Sequence, residues 1–215
     1  EYAFLRPGRE MLFGRLDTLV NVVGGTFRAP FSEQSPRAWD ALIRSNLTHV
    51  LHATSRAIPA MRAGGRGGSI VNITTIEGYR AAPNFAVYSA AKAAVAHFAR
   101  TLSVELAPDG IRVNNVAPDI TPTPNMIGIS GDGEAGTHPM LDPLNVSVSI
   151  PMGRLGVPSD ISNAVVFLAS GLSSYITGTT LHPDGGTMAS SGWFNWPGSG
   201  FGNTLPPDVL DMMRS

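Results

Sequence analysis

Tyr88 and Lys92 stand four positions apart in a stretch without glycine or proline, a composition that favours a helix. At this spacing a phenol and an ammonium group share one helical face. A free tyrosine has a pKa of about 10 and is a poor acid or base near neutral pH. Because a neighbouring cation favours the phenolate and lowers that pKa, the pair is suited to general acid–base catalysis. Such pairs also occur on ordinary helix surfaces, so the meaning of this one depends on the residues around it.

Polar residues at the ends of apolar runs supply that context. Asn21 and Gly24 close one apolar run, and Thr75 follows a second run shortly before Tyr88. Asn46 lies on the apolar stripe of a long helical segment, where a buried amide needs hydrogen-bond partners. The position of this asparagine therefore calls for an explanation beyond packing.

A third apolar run ends at Val116 and is followed by Pro118, Thr121 and Thr123. Further along, the motif PMGRLGVP precedes a helical segment, and the motif SYITGTT leads to a DGG triplet. These motifs come in a fixed order after the tyrosine–lysine pair, so they extend the candidate site toward the carboxyl end of the chain.

The elements that must position these residues follow from the periodicity of apolar side chains. Apolar runs predict strands at 16–23, 69–74, 111–116 and 179–182. Spacings of three and four predict helices at 36–61, 85–106 and 159–170. A long loop is expected between 118 and 151. This alternation predicts an α/β fold with a parallel sheet covered on both faces, and such sheets bind ligands at the carboxyl ends of their strands.

The composition excludes several classes of function. The 215 residues include no cysteine, so disulfides and thiolate metal sites are ruled out. His49 and His52 share a helix without a nearby third ligand, and we expect no metal site. The net charge of −1, without clusters of either sign, argues against nucleic-acid or anionic-membrane partners. No membrane-spanning run or signal peptide is recognisable, and we expect a cytoplasmic protein.

Together, these motifs resemble the classical short-chain dehydrogenase/reductase family. The similarity runs from about residue 13 to residue 186 and rests on Tyr88, Lys92, Asn21, Gly24 and the closing ITG and DGG motifs. It implies a Rossmann-like, doubly wound parallel sheet in three α/β/α layers. It also implies NAD or NADP as the cofactor, without distinguishing between them.

The resemblance implies a role for each matching residue. Tyr88 would be the general acid in carbonyl reduction and the base in alcohol oxidation, while Lys92 would hold the ribose hydroxyls and lower the tyrosine pKa. Thr75 would hydrogen-bond the substrate oxygen, and Asn46 would hold a water in a proton relay to the lysine. The implied cofactor-binding residues are Asn21, Gly24, Tyr88, Lys92, Pro118, Thr121 and Thr123, of which Thr123 would face the nicotinamide carboxamide.

Three departures from the family pattern stand out. Thr75 replaces the usual serine, which adds a methyl group and a stiffer side chain. Asp119 replaces the glycine that usually follows Pro118, and so places a side chain near the nicotinamide. No glycine-rich pyrophosphate turn precedes the first strand, and the resemblance implies a missing βαβαβ portion. Either the chain is an incomplete record, which we favour, or it is a truncated product whose strand edge a partner covers.

We expect one Rossmann-type domain over 1–215, with a substrate loop at 124–150 and a C-terminal extension at 187–215. The extension is rich in aromatic residues. The segment with Trp193, Phe194 and Trp196 either packs on a neighbouring subunit or over the substrate mouth, or one of these residues lines the substrate pocket. The loop contains glycine and proline and should set specificity for the substrate.

The function that the resemblance implies is NAD(P)-dependent hydride transfer between the nicotinamide and a ketone or secondary alcohol. The expected partners are a small carbonyl or alcohol substrate and further copies of the chain, in a tetramer or dimer. The alternative is a truncated, non-catalytic relative that acts by oligomerisation through its two long helices. An epimerase or dehydratase of the extended branch is a second enzymatic alternative, disfavoured by the classical closing motifs.

Overall fold

The structure is a computed structural model, which describes residues 15–122 and 141–214. The contacts between residues divide the chain into two compact units. The described residues of the first unit reach Ala117 and resume at Ser162–Leu181, and those of the second fall within Pro118–Ile161 and His182–Ser215.

The first unit is built on a four-stranded sheet. Its strands are β1 Thr18–Asn21, β2 Gly68–Ile73, β3 Ile111–Val116 and β4 Thr180–Leu181. They lie in the order β1-β2-β3-β4, and every pairing is parallel. The sheet confirms the predicted α/β class and all four predicted strands, although the first and last are shorter than expected.

The predicted helix at 36–61 is present but is not a single regular α-helix. It comprises α1 Pro36–Ile43, a π-helical turn Arg44–Thr48 and α2 His49–Gly64. Ser35 caps its amino end, where the Ala38 amide donates to the serine hydroxyl at 3.3 Å. The π turn adds one residue to the helical repeat, a feature often found at functional sites.

The second predicted helix is α3 Ala86–Glu105, and it packs with α2 on the sheet. The cluster of buried apolar residues that joins them comprises Ala57, Met61, Ile70, Ala99, Leu102, Leu106, Ile111 and Val113. The third predicted helix is α5 Pro158–Ala169, which crosses from the second unit into the first. There the Ser69 hydroxyl of β2 donates to the Leu168 carbonyl at 2.8 Å.

The second unit has more regular structure than the sequence predicted. Helix α4, Pro143–Ser149, lies in the segment expected to be a loop. Asp142 caps it by accepting hydrogen bonds from the amides of Leu144 and Asn145 at 2.8 and 3.0 Å. The expectation of an irregular segment is therefore wrong for these residues, while 123–140 lie outside the described residues.

The remaining elements of the second unit come from the C-terminal extension. They are α6 Thr187–Ser190, the antiparallel pair β5 Phe194–Trp196 and β6 Gly200–Gly202, and α7 Pro207–Arg214. Strand β5 contacts α4. Of the helices in the described ranges, none combines the length and hydropathy needed to span a bilayer.

A row of side-chain amides crosses the sheet, and we call it the asparagine row: Asn21, Asn72 and Asn115. The three residues are in register on adjacent strands. The Asn21 amide donates to Asn72 Oδ1 at 2.8 Å, and the Asn72 amide donates to Asn115 Oδ1 at 3.2 Å. Asn115 in turn donates to Thr180 at 3.3 Å, and the Thr180 and Tyr79 hydroxyls are 2.7 Å apart. Buried amides in this core are thus mutually satisfied.

Replacing the central member of the row should be costly. We expect Asn72→Leu, a change of similar volume, to lower the free energy of unfolding by about 2–4 kcal/mol. It would leave the Asn21 amide and the Asn115 carbonyl oxygen buried without a partner, at about 1–3 kcal/mol for each group. Urea denaturation measures the change.

The matched control for this substitution is Asn203→Leu, which replaces an exposed asparagine and should change stability by less than about 0.5 kcal/mol. A loss below about 1 kcal/mol for Asn72→Leu would show that the asparagine row contributes little to the stability of the sheet.

Candidate active site

The candidate site lies at the carboxyl ends of β1 and β2, beside the amino-terminal part of α3. Thr75 follows β2 in extended conformation and caps a short 3₁₀ helix, Ile76–Gly78. Its hydroxyl accepts a hydrogen bond from the Glu77 amide at 3.4 Å, and its side chain is near enough to Tyr88 to lower the pKa of the phenol. The structure thus joins two residues that the sequence placed in the site separately.

Tyr88 packs against an aromatic neighbour. The rings of Phe85 and Tyr88 pack edge to face, with centroids 6.4 Å apart. Burial raises the pKa of Tyr88 to about 12, and the Glu77 carboxylate adds to this, while the hydrogen bond with Thr75 acts in the opposite direction. Glu77 itself is paired with Arg80 at 2.9 Å. Tyr88 is therefore a neutral phenol over the physiological pH range, with a proton to donate.

Lys92 lies one helical turn after Tyr88, with its Nζ 5.9 Å from the centroid of the tyrosine ring. The ammonium group is buried and donates to the Ile73 carbonyl at 2.9 Å. Burial lowers the pKa of Lys92 to about 8. Loss of hydration is the largest effect on both groups, and the expected lowering of the Tyr88 pKa by Lys92 stays a prediction.

Asn46 occupies the middle of the π turn and is fully buried. Its amide nitrogen donates to the carbonyls of Gly25 and Leu42 at 2.7 and 2.9 Å, and its oxygen accepts from the Gly25 amide at 3.2 Å. The side chain therefore fixes the loop that follows β1. Its polar atoms are directed to protein groups, so a water-holding role for Asn46 stays a prediction.

Gly24 is enclosed by Asn46 and Lys92. A Cβ atom at this position would lie 2.8 Å from Asn46 Oδ1 and 3.1 Å from Lys92 Nζ, the first closer than side chains tolerate. The backbone of Gly24 thus passes directly over the buried amide and ammonium groups. Any larger residue would displace one of them.

The other predicted cofactor residues are divided between the units. Asn21 belongs to the asparagine row, and its amide is directed along the sheet to Asn72. Pro118 and Thr121 lie in the second unit, where the Thr121 hydroxyl donates to the Asp119 carbonyl at 3.3 Å. Thr123 lies outside the described residues. The cofactor contacts of all four remain predictions.

The second unit also contains a cavity of about 250 Å³. Its wall includes Asp119, Ile120, Ile150, Arg154, Asp160 and Asp184. Arg154 and Asp160 form an exposed ion pair at 2.8 Å. The Asp184 carboxylate accepts hydrogen bonds from the amides of Gly186 and Met188, each at 2.9 Å. Arg154, Asp160 and Asp184 are thus engaged with other groups of the protein itself.

The aromatic residues of the C-terminal extension are partly exposed. The rings of Phe194 and Trp196 lie on one face of the β5–β6 hairpin, with centroids 5.8 Å apart. Trp193 is half exposed beside them. Because β5 contacts α4, the extension and the end of the 124–150 segment form one structure within the second unit.

Sequence reasoning missed two residues near the site. Glu77 acts electrostatically on Tyr88, and His49 lies buried near Lys92, whose charge acts on it. The three-residue spacing between Asn46 and His49 on the same helix could have indicated that both face the interior. Within the described ranges, no three residues of the usual ligand types are grouped to hold a metal ion.

Comparison with known proteins gives an independent view of the chain. The model of a protein family described as enoyl-(acyl carrier protein) reductase matches residues 9–188. The chain is 37% identical over 178 residues to a 3-oxoacyl-[acyl-carrier-protein] reductase of Haemophilus influenzae, covering 83% of this chain and 69% of the relative. It spans 66–69% of the length of the curated relatives it matches.

Two solved structures are similar in fold. An oxidoreductase of the short-chain dehydrogenase/reductase family from Burkholderia thailandensis gives a TM-score of 0.71 at 30% identity, covering 81% of this chain and 65% of the other. A protein of Agrobacterium tumefaciens, described as a 2-deoxy-D-gluconate 3-dehydrogenase with bound NADP, gives a TM-score of 0.71 at 35% identity. That match covers 80% of this chain and 68% of the other.

Proposed function

Since the chain belongs to the short-chain dehydrogenase/reductase family, we propose that it carries out NAD(P)-dependent interconversion of a ketone and a secondary alcohol. The observation that carries the proposal is that the side chains of Thr75 and Tyr88 come together near the Lys92 ammonium. Two hydroxyls at one point can both reach a single substrate oxygen. A cation close by stabilises negative charge that develops there.

The protonation state of Tyr88 determines how it can transfer a proton to or from the substrate. Tyr88 is a neutral phenol because burial raises its pKa, so it can donate to a carbonyl oxygen as that oxygen gains charge. Thr75 can hold the same oxygen in place by a hydrogen bond. In the direction of alcohol oxidation the phenolate would have to form first, and the Lys92 cation is the nearby charge that would stabilise it.

The residues around Gly24 fit a nicotinamide dinucleotide. Lys92 donates one hydrogen bond to the Ile73 carbonyl. Because an ammonium group has three N–H donors, the remaining N–H groups can donate to ribose hydroxyls. Gly24 leaves its Cα exposed to a close approach, since a side chain there would meet Asn46 and Lys92. A bound nicotinamide supplies or accepts the hydride. The cofactor roles that the resemblance implies for Asn21, Pro118, Thr121 and Thr123 are part of the same proposal.

We also propose that the chain pairs with further copies of itself. Leu51 on α2 and Val104 on α3 are large apolar side chains exposed at 39% and 74%. Exposed apolar residues on two long helices favour pairing with another copy, as a dimer or tetramer. A non-catalytic subunit would pair in the same way but would bind no dinucleotide, and dinucleotide binding therefore separates the two functions.

The direct test is binding followed by turnover. We expect the purified protein to bind NADH or NADPH, measured by the fluorescence of the reduced nicotinamide. We also expect it to oxidise one of them with a ketone from a short panel: the N-acetylcysteamine thioester of acetoacetate, acetoin and a 3-oxosteroid. The reference reaction contains the dinucleotide without ketone. Failure to bind either dinucleotide would favour the non-catalytic subunit, whereas binding without turnover would place the substrate outside this panel's chemistry.

A further inference from the structure

His49 is a buried titratable residue that the proposed chemistry has not used. It follows the π turn directly and is 5% exposed. Neither ring nitrogen has a hydrogen-bond partner among the described residues. Buried polar atoms without a protein partner are usually satisfied by an ordered water. The ring is thus suited to exchange protons through water on either nitrogen.

His49 lies about one helical turn after Asn46, and Asn46 Oδ1 and Lys92 Nζ both lie against Gly24, so His49 and Lys92 belong to neighbouring parts of the fold. Lys92 and the burial of the ring both lower the pKa of His49, with burial the larger cause, so the imidazole is neutral at physiological pH. The carbonyls of Arg44 and Ser45 oppose this in part, although neither forms a hydrogen bond of good geometry with the ring. A neutral imidazole beside an ammonium group can pass a proton in either direction.

Among the described residues, Lys92 is the one titratable group whose charge acts on His49. Strands β1 and β2, which pack against α2, carry no titratable side chains. The other titratable groups on the surrounding helices are Arg37, Asp40, Arg44, His52, Arg56, Arg62, Tyr88, His97, Arg100 and Glu105. The protonation of His49 is therefore coupled directly to that of Lys92.

We propose that His49 is the proton carrier behind Lys92, which restores the proton that Tyr88 gives up in each turnover. The inference rests on the proposed function. After Tyr88 has given its proton to the substrate oxygen, the phenolate recovers one from the Lys92 ammonium. Lys92 then recovers a proton from one ring nitrogen of His49 while the other nitrogen takes one from solvent. Bridging hydroxyl groups or waters carry each transfer, and the net change is one proton from solvent.

This role predicts that the first turnover and the later ones respond differently. Tyr88 enters the first turnover already protonated, so His49→Gln should leave the rate of the first turnover within about twofold of wild type. Steady-state turnover should fall by about tenfold or more, because reprotonation becomes limiting. Stopped-flow measurement of NADPH oxidation with the acetoacetyl thioester, or with whichever ketone of the panel turns over, separates the two phases.

Three further variants keep the test specific. His49→Ala should show the same steady-state loss, and added imidazole should restore turnover in a concentration-dependent way. His52→Ala, which removes an exposed histidine of the same helix, should behave as wild type in both phases. In the protein without cofactor, Lys92→Met should raise the pKa of His49 followed by NMR.

The outcomes separate the relay from the function. An active wild type whose His49 variants keep the wild-type steady-state rate would overturn the relay alone. Equal slowing of the first turnover and the steady state, without imidazole rescue, would mean that His49 is only structural. A wild type that binds neither dinucleotide and turns over none of the ketones would refute the proposed function and the relay together.

Discussion

Tyr88→Phe is expected to lower the rate of ketone reduction by about 10²–10⁴-fold, the usual contribution of a general acid. The substitution removes only the hydroxyl group, so the edge-to-face packing with Phe85 is kept. Thr75 loses its partner in Tyr88 but still accepts from the Glu77 amide. Binding of the reduced dinucleotide should therefore change little. Steady-state kinetics and fluorescence titration measure the two quantities on the same samples.

Tyr175→Phe is the matched control for Tyr88→Phe, because the Tyr175 side chain is fully exposed. It should have wild-type kinetics. Wild-type turnover in Tyr88→Phe would show that another group supplies the proton, and the assignment of the site would be wrong. Loss of dinucleotide binding together with turnover would point to a structural role for the phenol.

Lys92→Met should lower turnover almost as much as Tyr88→Phe does. In the wild-type protein, turnover should depend on pH in a way that reflects the titration of Lys92. Because the pKa of Lys92 is lowered to about 8, the cation is lost as the pH rises through that value, and turnover should fall there. In Lys92→Met turnover should be lower by at least about 100-fold and should lack this inflection. Lys92→Arg keeps the charge, so it should move the inflection out of the measurable range.

The free energy of unfolding should rise over the pH range in which turnover falls. The folded-state pKa of Lys92, about 8, is below its unfolded value of 10.5. Between these values the unfolded chain binds more protons, so the free energy of unfolding should rise with pH from about 8 to 10. Above pH 10 the raised pKa of Tyr88 acts the other way. If the urea midpoint rises no more between about pH 8 and 10 in wild type than in Lys92→Met, Lys92 is not a buried cation with a lowered pKa.

The parallel sheet could be predicted from the sequence because its strands are continuous apolar runs. Ile111–Val116 agrees with the prediction residue for residue. The π turn at Arg44–Thr48 could not be predicted, since it contains neither glycine nor proline and is specified by the bonds of Asn46 to a loop distant in sequence. Helix α4 was missed although Asp142 and Pro143 are ordinary helix-start signals.

For the site, residue types could be predicted but not their electrostatics. The spacing of Tyr88 and Lys92 correctly predicts a shared helix. It says nothing about burial, and burial raises the pKa of Tyr88. The strand-end position of Asn21 suggested a cofactor contact, whereas its bond to Asn72 depends on strand pairing that no local pattern encodes. Long-range pairing and hydration are properties of the folded chain alone.

The asparagine row also constrains how this sequence can change over time. Each member satisfies its neighbour, so an isolated replacement of any one leaves a buried group without a partner, whereas replacing both partners of a bond by apolar groups can be nearly neutral. Single substitutions should therefore lower stability, and recovery requires that every bonded neighbour be replaced as well. We therefore expect the three positions to be conserved or substituted together, although Asn21, Asn72 and Asn115 are far apart in the chain.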